Sequence, residues 1–294
     1  MDSARPAVRA ADPRVTEEWP APPAPARHRD ERPPSVVGRH ARLDLTFLYR
    51  DRRTVLTEAY AEPPFRVARG LAEGDGVHMI LASSAPGAFG HDRLQQIVRI
   101  GRGARVRLTS QSAMQVHPSP DGATAHLQSS YHVADGAHLH CDWHPLIPFA
   151  GARLDQRIDV HIDGGGCLYW SDALMSGRQA RGERWKFASL AHEIAVSRDG
   201  SLEYLERYRL QPNELTVSRP WVAGDASYLG TTLVTGRPIE PGVAERLHLQ
   251  LARFADVRAA ADRLDDRVLL VRLLGVSGAA FHEARRWIRD WGDP

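Results

Sequence analysis

From Gly38 onward apolar and polar residues alternate with a period of two in one short run after another, and that rhythm dictates strands with one face turned to a core. Leu43, Leu45, Phe47 and Tyr49 set it first. It returns at Ala104, Val106 and Leu108, at Ala125, Leu127, Tyr131 and Val133, at Ala137, Leu139, Cys141 and Trp143, and at Ile158, Val160 and Ile162. Turn formers separate the runs: Gly101 and Gly103, Pro118 through Gly122, Asp135-Gly136, Gly164 to Gly166 and Asp199-Gly200. No strand–helix–strand rhythm is present. The expected fold is mainly β, a single large β-rich domain over residues 39–294, coiled or solenoid-like and mostly antiparallel, with about two C-terminal α-helices. The first helix is expected to start at Pro241 and to run through Leu247 and Leu251 to Phe254. The second begins near Ser277, whose hydroxyl suits a cap, and carries Ala280, Ala284, Trp287 and Trp291 on one stripe. Val268 to Leu274, between them, reads as a buried strand.

The alternation has no counterpart before Gly38. Residues 1–38 are rich in Pro, Ala and Arg, including Pro20, Pro22, Pro23, Pro25, Pro33 and Pro34, and offer too little apolar surface to offset ordering, so a disordered tail is expected there. The remainder, in a chain that is 43% apolar over 294 residues, can fill a substantial core. A formal charge of +2 gives no field that gathers nucleic acid or an anionic membrane. Two cysteines, Cys141 and Cys167, read as reduced thiols, and no run of residues has membrane-spanning length, which makes the cytoplasm the expected location.

Ready-made catalytic signatures are missing. No glycine-rich turn leads into Gly-Lys-Ser/Thr, no serine sits in a Gly-x-Ser-x-Gly elbow, and neither cysteine has a zinc-type partner at close spacing. His138 and His140 share one strand face, with His144 close by, which is a feasible imidazole set for a cupin-like metal enzyme. The glutamate and second histidine motif of such enzymes are not found. Two carboxylates say more. Alternation places Asp172 with Leu168, Trp170 and Leu174, and Glu206 with Leu202, Tyr204, Tyr208 and Leu210, so both acids point inward. A buried carboxylate needs an arginine, backbone donors, a cation or internal water; Arg178, Arg207 and Arg209 are the nearby arginines.

The order of motifs resembles the UreD (UreH) family of urease accessory proteins from about Ala41 to Trp291. Leu43-x-Leu45-x-Phe47 with Thr54-Val55-Leu56, and Pro63-Pro64-Phe65-x-Val67, are similar to its opening segments. Pro86-Gly87-Ala88-Phe89-Gly90-His91-Asp92 is like its Gly-Gly-x-x-Gly-Gly-Asp, and Leu108-Thr109-Ser110-Gln111-Ser112-Ala113 like its Leu-Thr-Thr-Gln-Ser-Ala. Pro145 through Ala152 is close to verbatim, Gly177-Arg178-x-Ala180-x-Gly182-Glu183 follows, and Glu206-Arg207 ends the next strand. The resemblance implies a non-enzymatic scaffold without a tightly bound cofactor, which joins UreF and the GTPase UreG on apo-urease and helps nickel reach the urease active site. It places Asp172 and Glu206 in the acidic lining of an internal nickel passage. The sequence departs from the pattern at Gly90-His91 and at Met114-Gln115-Val116-His117, so His91 and His117 are further candidates for nickel handling.

Overall fold

The computed structural model describes residues 38–214, 217–220 and 222–292. All of the expected tail except Gly38 lies outside the described residues. The strands in chain order are β1 (His40–Arg50), β2 (Arg53–Ala61), β3 (Phe65–Val67), β4 (Leu71–Glu73), β5 (Gly76–Ser83), β6 (Arg93–Ile100), β7 (Arg105–Ser110), β8 (Met114–Val116) and β9 (Ala125–Val133). They continue with β10 (His138–Asp142), β11 (Leu146–Pro148), β12 (Arg153–Ile162), β13 (Cys167–Met175), β14 (Ser189–Arg198), β15 (Ser201–Leu210) and β16 (Tyr228–Thr235). Helix α1 (Val243–Leu251), β17 (Val257–Arg263), β18 (Leu269–Gly275) and helix α2 (Gly278–Gly292) complete the described chain.

Two sheets face each other. The first has seven strands in the order β15-β14-β12-β9-β6-β1-β2; the second has eleven, with the path β17-β18-β16-β13-β10-β7-β5-β3 and the short strands β4, β8 and β11 attached to it. From β5 to β14 the chain winds as a coil, leaving one sheet for the other at almost every turn and returning one strand further along. The mainly β, solenoid-like fold with two helices is therefore observed. The mostly antiparallel pairing is corrected: strands that follow one another within a sheet of the coil run the same way, in β6–β9–β12–β14 and in β5–β7–β10–β13. Antiparallel pairs flank the coil, at β1–β2, β14–β15, β13–β16, β16–β18 and β17–β18 among others. Alternation reports which face a residue occupies and is the same in both ladders, so it cannot report strand direction. Turns such as Gly101–Gly103 look like hairpin turns but carry the chain across to the opposite sheet.

Each inward face is apolar at both ends. Phe47, Met79, Ile100, Leu108, Tyr131, Leu139 and Ile162 belong to one buried cluster. Leu154, Leu174, Phe187 and Leu190 belong to a second. The outer face of β16–β18 is covered by the helices, through Leu247, Leu251, Phe281, Ala284 and Ile288.

Helix α1 starts later and stops earlier than the sequence suggests, following Gly242 at φ 78°. At α2, Ser277 Oγ accepts the Ala280 N–H at 3.5 Å as expected. The buried stripe is Phe281, Ala284 and Ile288, with Trp287 and Trp291 partly buried at its flank, so it is turned by about one residue from the one expected. Glycines in the sheet cause the turn: a Cβ at Gly230 or Gly275 would stand 2.8 or 2.7 Å from the Phe281 ring, and only their absence of side chains seats that ring.

Three of the family-like motifs meet with β8 at one corner of the coil. Gly87 approaches β8 so closely that a Cβ there would lie 2.3 Å from the Gln115 carbonyl oxygen, and Gly177 does the same over the Glu183 carbonyl. Arg178 stacks on Phe149 at 3.7 Å while its Nε donates to Glu183 Oε2 at 2.7 Å. Glu183 also accepts the Ala150 N–H at 3.2 Å, which ties the Gly177–Glu183 segment to the Pro145–Ala152 segment.

Candidate functional site

Between the two apolar ends, the inward alternation is broken by polar residues at matching heights. In the first sheet one row across the strands reads Leu94, Leu127, Gln156, His192, Tyr208, and the next reads Gln96, Ser129, Ile158, Ile194, Glu206. In the second sheet a row reads Asp172, Thr231, Arg272. These polar positions prevent the sheets from closing into a dry core, and a cavity of about 770 Å³ runs between them. All of these residues except Ile194 line it. Three rings bound the cavity on the side of the first cluster, with Trp170 edge-on to Tyr131 at 5.4 Å and to Trp143 at 6.0 Å.

Both predicted acids reach this cavity. The Trp170 indole N–H donates to Asp172 Oδ2 at 3.0 Å. Burial pushes the Asp172 carboxyl above the usual carboxylate range; His192 and the Trp170 hydrogen bond oppose the shift, and the Glu206 charge adds to it. Asp172 thus lies within electrostatic reach of both His192 and Glu206. Glu206 is 9% exposed and both its oxygens are engaged: the Tyr204 hydroxyl donates to Oε2 at 2.6 Å, and Arg272 donates to Oε1 at 2.8 Å. His192 stacks on Tyr208 at 5.0 Å and its Nδ1 meets Gln156 Oε1 at 3.1 Å.

The arginines suggested by sequence proximity are placed elsewhere. Arg178 pairs with Glu183, Arg207 pairs with Glu193 at 2.6 Å on the outer face, and Arg209 is exposed. Arg272, far along the chain, takes the role instead. It is the one polar residue between Leu270 and Leu274, but no local spacing ties it to Glu206. His192 had a clearer signal, as the one polar member of the series Leu190, His192, Ile194, Val196.

The two further histidines are not brought to the acids. His91 lies in a loop, where its Nε2 meets Asp121 Oδ2 at 2.6 Å. It holds the left-handed conformation, φ 69°, that glycine ordinarily supplies. His117 is sandwiched between Phe89, stacked at 4.4 Å, and Phe149, edge-on at 4.6 Å, and its buried Nε2 has no hydrogen-bond partner. Neither lines the cavity.

The imidazole trio of the metal-enzyme alternative is also divided. His138 and His140 stand on the outer face of β10, in register with Arg105 and Arg107, and line a groove with Cys167 and Tyr169. His140 stacks on Tyr169 at 4.2 Å. Burial first, and then Arg105, push the His138 imidazole below its usual range. Arg105 and Arg107 pair there with Asp75 and Glu73, the two acids of the groove. His144 lines the interior cavity instead. Among the described residues no group of three or more His, Cys, Asp or Glu side chains is arranged to hold a metal ion, and no helix is long and apolar enough to cross a membrane.

Comparison with known proteins points one way. A family model described as UreD urease accessory protein matches residues 39–291. Three curated proteins called urease accessory protein UreD are similar to the chain over most of its length. The protein from Sorangium cellulosum is 33% identical over 244 residues, covering 82% of this chain and 77% of its own. That from Acetivibrio thermocellus is 26% identical over 255 residues, with 86% and 97% covered. That from Deinococcus radiodurans is 31% identical over 241 residues, with 77% and 86% covered.

Proposed function

This chain belongs to the UreD family of urease accessory proteins, and from that premise we propose that it is a non-catalytic cytoplasmic maturation factor that assembles with UreF, UreG and apo-urease and passes nickel through its interior. The observation that carries the passage is the pair of inward carboxylates, Asp172 and Glu206, one from each sheet, at the wall of the cavity. Nickel here is cargo. Carboxylate oxygens attract a divalent ion but hold nickel less firmly than imidazole or thiolate clusters do, and a conduit requires that modest grip. His192 adds one imidazole to the same wall. The chain's own residues supply attraction, a polar lining and exclusion of bulk solvent; no bond of a substrate is made or broken.

Two experiments separate the scaffold from the passage. Co-expression with the urease subunits and accessory proteins, with and without this chain, tests maturation: urease is expected to lack nickel and activity when the chain is omitted, and equal activity in both cases rejects the assignment. Replacing Asp172 by Leu and Glu206 by Met is expected to leave the complex with UreF intact and to lower the nickel content of urease. Normal nickel loading in that double variant rejects the passage and leaves the scaffold standing.

A further inference from the structure

We propose that Arg272 is the displaceable counter-ion of Glu206, occupying the acid between ions so that the cavity admits a divalent cation without retaining it; this rests on the passage reading above. The placement of the two residues is the first ground. β15 is the edge strand of the first sheet, and β18 lies next to the edge strand of the second, so the Arg272–Glu206 pair crosses from one sheet to the other near the margin of the coil, where β17 is the last strand of the cavity wall. Arg272 also stands in the row Asp172–Thr231–Arg272, two strand spacings, or roughly 10 Å, from the other acid.

Asymmetry of burial is the second ground. The Glu206 side chain is 9% exposed, whereas that of Arg272 is 50% exposed. The carboxylate is largely shielded from bulk solvent, and leaving it charged without a partner is costly. The guanidinium can turn outward into solvent at little desolvation cost. Tyr204 stays behind on Oε2 and keeps the carboxylate oriented, while its hydroxyl lies 3.3 Å from Arg272 Nη2.

The buried arginines Arg198 and Arg285 are built differently. Arg285 is 7% exposed and is fixed by Ser171 Oγ, Asp142 Oδ1 and the Trp143 carbonyl. Arg198 is 8% exposed and is fixed by Glu203 and by the carbonyls of Gly164 and Gly166. Those two are structural clamps. Arg272 is held loosely by comparison and faces solvent. Charge balance favours exchange: counted as two carboxylates, the acids and the guanidinium sum to minus one, and with Arg272 turned out the two carboxylates match one dication. A monovalent cation brings no more charge than the guanidinium it would replace, so displacement selects for divalent ions.

The test uses the accessory complex assembled in cells that co-express the urease subunits, loaded with nickel-63 and then chased with unlabelled nickel. With Arg272→Met the complex is expected to retain at least tenfold more label than the natural chain, and urease to receive correspondingly less. Arg272→Lys, which keeps a mobile charge, is expected to behave like the natural chain. Adding Glu206→Gln to Arg272→Met is expected to abolish the retention. If Arg272→Met does not fold, Arg272→Gln keeps a hydrogen-bond donor without the charge and carries the same expectation. Retention and delivery both unchanged in the uncharged variants overturn the counter-ion role, while failed delivery by the variant lacking both acids keeps the passage. Full delivery without the acids overturns the passage itself.

Discussion

A carboxyl held above its usual range works against the fold once it ionises. Asp172 binds a proton more readily in the folded chain than in the unfolded one, so its contribution to stability falls as pH rises from the ordinary aspartate range through its raised native value. Asp172→Asn is therefore expected to be more stable than the natural protein at neutral pH, by about 1–2 kcal/mol, with the advantage vanishing below the ordinary aspartate range. Thermal midpoints of both forms measured across acid and neutral pH check this, and an advantage that is the same at every pH counts against it. His91→Gly is expected to keep or slightly raise stability, because the left-handed backbone there costs a non-glycine residue roughly 1 kcal/mol while its exposed pair with Asp121 returns little. At this scale Asp172 and Glu206 were legible, since each is the odd polar member of an apolar alternation. Arg272 is likewise the one polar residue between Leu270 and Leu274, but its partnership with Glu206 is set by a pairing of sheets that no local spacing encodes.

Elements are where local signals stop sufficing. The same period of two produces the parallel coil and the antiparallel flanks, so the strands were readable while the direction of their neighbours was not. Helix α2 was found through its cap and its apolar content, but its orientation depends on a slot made by Gly230 and Gly275 in two different strands. Phe281→Ala empties that slot and is expected to cost about 3–5 kcal/mol, measured by denaturant unfolding, with amide exchange rising in α2 before it rises in the coil. Arg285 anchors the same helix from a buried position over Ser171 and Asp142. Arg285→Met is expected to cost about 3 kcal/mol by leaving Asp142 with only the longer contact to Arg289 at 3.4 Å. A change below 1 kcal/mol in either variant rules out a docking role for the side chain concerned.

For the molecule as a whole, the cavity costs stability: a two-sheet coil with an apolar interior throughout would pack closed. Filling the space with Ser129→Leu and Thr231→Leu is expected to raise stability by about 2 kcal/mol through added apolar burial and to lower the nickel content of urease in the co-expression assay. Higher stability with undiminished nickel would separate the cavity from delivery. The ring trio of Tyr131, Trp143 and Trp170 gives the hollow a bulkhead. Trp170 both walls the cavity and steadies Asp172, so the polar half of the interior can be enlarged or recharged without disturbing the apolar half, provided that one indole stays in place.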